Sequence, residues 1–117
     1  AAPRAATASE ACESPAAGDQ RRCLFAHLAR SDAGLDRTYQ SVIAALKRDA
    51  GTVPGDPEPS AVKNLRSAQR AWLVYRDTEC RRRNRGREGA LWAPVRAQCL
   101  GEFSAAREAE LAGQLNR

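Results

Sequence analysis

Apolar residues in this chain return at intervals of three, four and seven, and never alternate over a useful length, which commits the fold to amphipathic helices. From Asp19 to about Asp49, the residues Leu28, Leu35, Tyr39, Val42 and Leu46 share one stripe. Gly34 interrupts good helix formers at about 1 kcal/mol relative to alanine. The segment reads as one helix in which the glycine allows close approach; a break, with Ser31 or Asp32 capping a second piece, is the alternative. A second helix is predicted from about Ser60 to Arg83, with the stripe Val62, Leu65, Ala68 or Gln69, Trp72, Tyr75 or Arg76, and Cys80. A third begins near Leu91, holds Pro94 in its first turn, and ends near Gly113. Its expected inner face is Trp92, Val95, Cys99, Phe103 and Ala106.

The breaks are equally legible. Between Gly51 and Pro59 stand three prolines and two glycines, a loop, with Ser60 as the expected cap of the next helix. Asn84 to Gly89 forms the second turn. Residues 1–18, rich in Ala, Ser, Pro and Gly, read as an extended or loosely ordered arm tied down by Cys12. The predicted architecture is all-α: a three-helix up-down-up antiparallel bundle forming one helical domain over residues 19–115, with an N-terminal arm and disulfide staples.

With 117 residues there is room for one core, and that core is thin, since aromatics are 5% of the chain and much of the apolar content is alanine. Covalent support is therefore expected from the four cysteines. Their spacing has no CxxC pair or histidine cluster, which argues against zinc. Antiparallel second and third helices put Cys80 and Cys99 at similar heights, while Cys12 on the arm folds back to Cys23. The expected bridges are Cys12–Cys23 and Cys80–Cys99; Cys23–Cys80, at one end of the bundle, is the alternative. The longer loop would contribute about 3 kcal/mol by chain entropy. Paired cysteines, a small-residue start at Ala1-Ala2-Pro3 and no methionine suggest a periplasmic or secreted protein after signal-peptide cleavage. No apolar run approaches the length of a membrane span.

Formal net charge is +5, which suits an acidic partner. The densest cationic run is Arg81, Arg82, Arg83, Arg85 and Arg87, at a helix end where cations complement the dipole. It is a candidate contact for an anionic envelope polymer or surface. Nucleic acid is not expected, because no stacking aromatics interleave the arginines. Catalysis is not expected either. His27 has no supported nucleophile near it in sequence, Asp56 and Glu58 lie in an open proline loop, and no phosphate-binding glycine loop occurs. No cofactor or metal is called for.

The most distinctive segment is Leu65-Arg66-Ser67-Ala68-Gln69-Arg70-Ala71-Trp72-Leu73-Val74-Tyr75-Arg76-Asp77, followed by Cys80. Trp72 reads as a core anchor with Gln69 and Arg76 one turn away on the same face; both need partners if buried. Antiparallel register sets Arg76 against Asp32 or Asp36, and Gln69 in the layer of Tyr39. Their role is structural specificity more than net stability.

Together, Asp32-x-x-Leu35-Asp36-x-x-Tyr39, the Gln69-Arg70-Ala71-Trp72 and Tyr75-Arg76-Asp77 motifs with Cys80, then Cys99, Arg107 and Leu111 resemble the LprI N-terminal domain family. That family is named after a mycobacterial lipoprotein inhibitor of lysozyme. The resemblance spans about Cys12 to Leu111. It implies an exported helical domain without cofactor, and lysozyme or another cell-wall hydrolase as the partner. Two features depart from the pattern. Asp36 stands where the family often has asparagine, and no cysteine suited to lipid attachment stands at the start of the chain. A basic hydrolase would need a local acidic patch, for which Glu102, Glu108 and Glu110 on the third helix are the candidates.

Overall fold

The computed structural model describes residues 8–116 and contains, among them, four helices and no strand. These are α1 (Ala8–Glu13), α2 (Ala17–Asp49), α3 (Ser60–Asn84) and α4 (Trp92–Leu115). The segment expected as an extended arm is therefore helical over Ala8–Glu13, and α2 starts two residues before Asp19. The rest of that arm, residues 1–7, lies outside the described residues. Alanine content explains the extra helix, and Cys12 within it gives so short an element something to hold.

Helix α2 runs 33 residues without a break at Gly34, a length of about 50 Å at 1.5 Å per residue. Lys47 and Arg48 occupy its last turn, and Gly51 follows at φ +68°, a left-handed conformation that favours glycine. Ser60 does not cap α3. Pro59 holds the cap position with extended backbone (φ −65°, ψ 155°), and Ser60 is already helical. Proline's fixed φ stops the loop there without a side-chain acceptor.

Helices α2 and α4 share the most extensive packing. The main core gathers Leu35, Val42 and Ile43 of α2, Val62 and Leu65 of α3, and Leu111 of α4, with Tyr39, Leu46 and Trp72 packed against it half-buried. Trp72 thus lines the edge of the core. The two ambiguous positions of the α3 stripe resolve to Gln69 and Arg76, both buried. On α4 the expected inner face is rotated: Val95 and Ala106 are exposed, and the buried residues are Ala93, Ala97, Leu100, Ser104 and Leu111. Small side chains face α2 here. A Cβ on Gly101 would lie 3.8 Å from Ser31 Cβ, ordinary contact between closely packed helices. Aromatic residues misled the periodicity because α4 buries small residues to let α2 approach.

The molecule is long and thin, with extents of 56 × 39 × 23 Å and a radius of gyration of 18.0 Å. A compact domain of 100 residues has about 13 Å. Little core per residue follows from that shape, and covalent links compensate. Cys12 pairs with Cys23 (Cα separation 4.9 Å) and Cys80 with Cys99 (5.8 Å), which excludes the Cys23–Cys80 alternative. The first fastens α1 to α2, and the second joins α3 to α4 beneath their turn.

Candidate binding site

Arg76 organises the middle of the molecule. The residue is 5% exposed, and Nη1 donates to both oxygens of Asp32 (3.1 and 3.0 Å) and to Ser104 Oγ (2.9 Å). Nε donates to Asp77 Oδ1 at 3.1 Å. Ser104 Oγ in turn donates to Asp32 Oδ1 at 2.7 Å, so one layer ties α2, α3 and α4. Of the two expected partners Asp32 takes the role, while Asp36 is exposed. Gln69 accepts 3.0 Å from Arg107 Nε of α4, and the Arg76 and Arg107 guanidiniums lie 5.3 and 6.0 Å from the Trp72 ring centroid. Tyr39 contributes by packing half-buried against the core, and the Arg66 guanidinium is held protonated chiefly by its hydrogen bonds to Glu58.

A second polar staple was invisible in the sequence. Gln20 is fully buried, its Nε2 donating to the carbonyls of Ala11 (3.4 Å), Cys12 (3.3 Å) and Ser14 (2.7 Å). Its Oε1 accepts 2.8 Å from the Ala93 N–H at the start of α4. One amide thus satisfies orphan carbonyls at the end of α1 and an orphan donor at the start of α4. No apolar pattern marks such a residue, so periodicity alone could not find it.

Beside the Arg76 layer a cleft of about 320 Å³ opens between Leu24, Leu28 and Leu100, rimmed by Phe25, Arg81 and Arg96. Phe25 is 64% exposed and lies off the buried face of α2, outside its apolar stripe.

The cationic run at the α3–α4 turn is uneven. Arg82 and Arg83 both grip Glu79, at 2.5 and 3.0 Å. Their hydrogen bonds, Arg82's foremost, hold the Glu79 carboxyl at about 2, well below its ordinary range. Arg83 also lies 5.1 Å over the Phe103 ring, which meets Tyr75 edge to face. Arg81 Nε donates to the Asp77 carbonyl at 3.3 Å. Arg85 and Arg87 are exposed, and among the described residues neither side chain has a hydrogen bond or ion pair.

The three glutamates of α4 have separate partners. Glu110 pairs with Arg107 at 3.3 Å, Glu102 accepts from Gln98 at 3.4 Å, and Glu108 turns onto α2, accepting from Thr38 at 3.5 Å. Glu58 is bound by Arg66 at 2.6 Å, which lowers its pKa, and Asp56 accepts from the Val53 N–H at 3.0 Å. The fold brings together a histidine–cysteine group that linear spacing did not reveal: His27 Nε2 lies 3.6 Å from Cys12 Sγ, with Arg30 Nη2 3.1 Å from Nδ1. Both sulfurs are spent in a disulfide and offer no thiolate to a metal.

The chain is 34% identical over 85 residues to the uncharacterized protein R02472 of Rhizobium meliloti (strain 1021), a match covering 69% of this chain and 60% of that protein. It therefore spans less than two thirds of the length of the curated relative it matches. No solved structure matches it. The profile of the family described as Lysozyme inhibitor LprI matches residues 10–111, which takes in both disulfides, the Asp32–Arg76–Ser104 layer and the Gln20 staple. On that match the chain belongs to the LprI lysozyme inhibitor family.

Proposed function

We propose that this protein is an exported, non-enzymatic inhibitor that binds a lysozyme or another cell-wall hydrolase. The family match over residues 10–111 carries the reading. The motif residues support it by their use. Asp32, Gln69, Trp72, Arg76 and Asp77 are spent on one another and on Ser104 and Arg107, which suits a scaffold. We read residues 19–115 as one domain in which α2, α3 and α4 run up, down and up, with α1 as the ordered part of the arm. Two disulfides fit a periplasmic or secreted location, where such bonds persist. No helix among the described residues is long and apolar enough to cross a membrane.

The test is lysis of a cell-wall suspension by lysozymes of several structural types, followed by turbidity with and without the purified protein. Slowed clearing with at least one type is expected; undiminished clearing with every type refutes the reading. A second reading, contact with an anionic envelope polymer through Arg81, Arg82, Arg83, Arg85 and Arg87, is favoured by the exposure of Arg85 and Arg87. It requires retention on the polymer at low salt and release at high salt.

A further inference from the structure

Resting on the inhibitor reading, we propose that the Arg85-Gly86-Arg87 turn is the element that enters the hydrolase's active-site cleft and faces its carboxylates. Glycoside hydrolases flank the scissile bond with two carboxyl groups, roughly 5 to 9.5 Å apart, inside a groove shaped for a sugar chain. A complementary inhibitor surface is narrow, projecting and cationic, and its cations are not already neutralised by its own acids. Several arginines of this protein fail the last condition. Arg76 is committed to Asp32 and Asp77, Arg82 and Arg83 to Glu79, Arg96 to Glu88, and Arg107 to Glu110. Arg85 and Arg87 meet it, and unlike Arg21, Arg30, Arg37, Arg48, Arg70 and Arg81, which lie within α2 and α3, they stand on the connection between two helices.

That connection is built to hold its shape. The Arg87 N–H donates to the Asn84 carbonyl at 3.0 Å, and the Arg85 N–H to the Arg82 carbonyl at 3.4 Å. Gly86 at φ +76° and Gly89 at φ +65° take left-handed conformations that reverse the chain in few residues. On the far side, Arg96 Nη2 and Nε hold the two Glu88 oxygens at 2.8 and 3.0 Å, and the same guanidinium lies 4.5 Å over the Trp92 ring. The Cys80–Cys99 bridge locks the helices below. A turn fixed on both sides loses little freedom on binding.

The pairing of the neighbouring arginines favours a protein cleft over a polymer or lipid surface as the occupant. Attraction to such surfaces grows with the number of free cations. Here Glu79 offsets one of the two charges of Arg82 and Arg83, and Glu88 offsets that of Arg96, so the net charge around the turn is smaller than its arginine count.

The experiment uses the lysozyme type that the wild-type protein inhibits. Arg85→Ala/Arg87→Ala is compared with Arg82→Ala/Arg83→Ala, which removes the same formal charge from the same run. Circular dichroism verifies that both remain folded. The first variant is expected to raise the inhibition constant tenfold or more, and the second less than threefold. A trimer of N-acetylglucosamine is expected to compete with the wild-type protein for the enzyme. Equal losses in both variants would reduce the effect to net charge and overturn the proposal. Undiminished inhibition by the first variant would overturn it too, while leaving the inhibitor reading standing. Inhibition of no lysozyme type removes both. Binding to vesicles rich in phosphatidylglycerol without any effect on lysozyme would assign the turn to membranes instead.

Discussion

Arg76 and Asp32, 44 residues apart, meet as a charge pair in which a single nitrogen, Nη1, serves both carboxylate oxygens while also holding Ser104. Breaking the pair from the acidic side leaves a cation that is only 6% exposed with Asp77 as its remaining charged partner, whereas the Asp32 side chain keeps 32% of its surface in water. Asp32→Ala is therefore expected to cost about 2 kcal/mol, below the range for fully buried pairs. Arg76→Met combined with Asp32→Ala, which removes both charges, is expected to recover part of that loss. Urea unfolding of the three proteins measures it; a single variant within 0.5 kcal/mol of wild type would deny the layer its role.

Gln20 offers a sharper case because both ends of one amide are used. Gln20→Ala leaves the buried Ala93 N–H and the half-buried Ser14 carbonyl without their partner. The expected cost is about 1 to 3 kcal/mol. Gln20→Glu can still accept from Ala93 but cannot donate as a carboxylate to the α1 carbonyls, and it too is expected to destabilise. Hydrogen exchange at the Ala93 amide is the direct reading: protection should fall in the alanine variant more than in the glutamate variant.

Gly34 and Glu108 are coupled. A Cβ on Gly34 would lie 3.0 Å from both Glu108 carboxylate oxygens, so the acid must swing away and give up Thr38. Alanine is worth about 1 kcal/mol over glycine within a helix. Gly34→Ala is expected to gain that amount in a Glu108→Ala background and clearly less in the wild type. A double-mutant cycle by thermal unfolding exposes the difference; equal gains in both backgrounds would show that the two positions are independent.

Glu79 gives a pH signature. Its carboxyl titrates at about 2 in the fold against an ordinary 4.5, lowered by hydrogen bonds from Arg82 and Arg83. Because the folded value is the lower one, the stabilisation is complete above about 4.5 and disappears as pH falls through about 2. Carbon NMR of the Glu79 carboxyl should show the depressed midpoint, and Arg82→Ala/Arg83→Ala should return it towards the ordinary range.

How much of this was legible depended on what carried the signal. The long α2, the proline loop and the α3 stripe follow from apolar spacing, and both bridges follow from placing Cys80 opposite Cys99 and Cys12 near Cys23. The pairing of Arg76 with Asp32 followed from antiparallel register, but the side-chain geometry that selects Asp32 over Asp36 did not. The face of α4 was misread because burial there follows smallness, through Ala93, Ala97 and Ser104. Helix α1 and Gln20 escaped because six residues of helix carry little signal alone and are held by two tertiary contacts, the buried amide and the Cys12–Cys23 bridge. The state of the arginine run was also hidden. Only the fold shows that Arg82 and Arg83 share Glu79 while Arg85 and Arg87 stay exposed.

The central claim is that this molecule binds a cell-wall hydrolase as a preformed helical scaffold. Isothermal titration of the purified protein into lysozymes of several types tests it most directly. A saturable one-to-one complex with at least one type is expected, weakened when the sugar trimer fills the enzyme's cleft. Titrations without saturable heat for every type, run with a folded and oxidised protein, would contradict it.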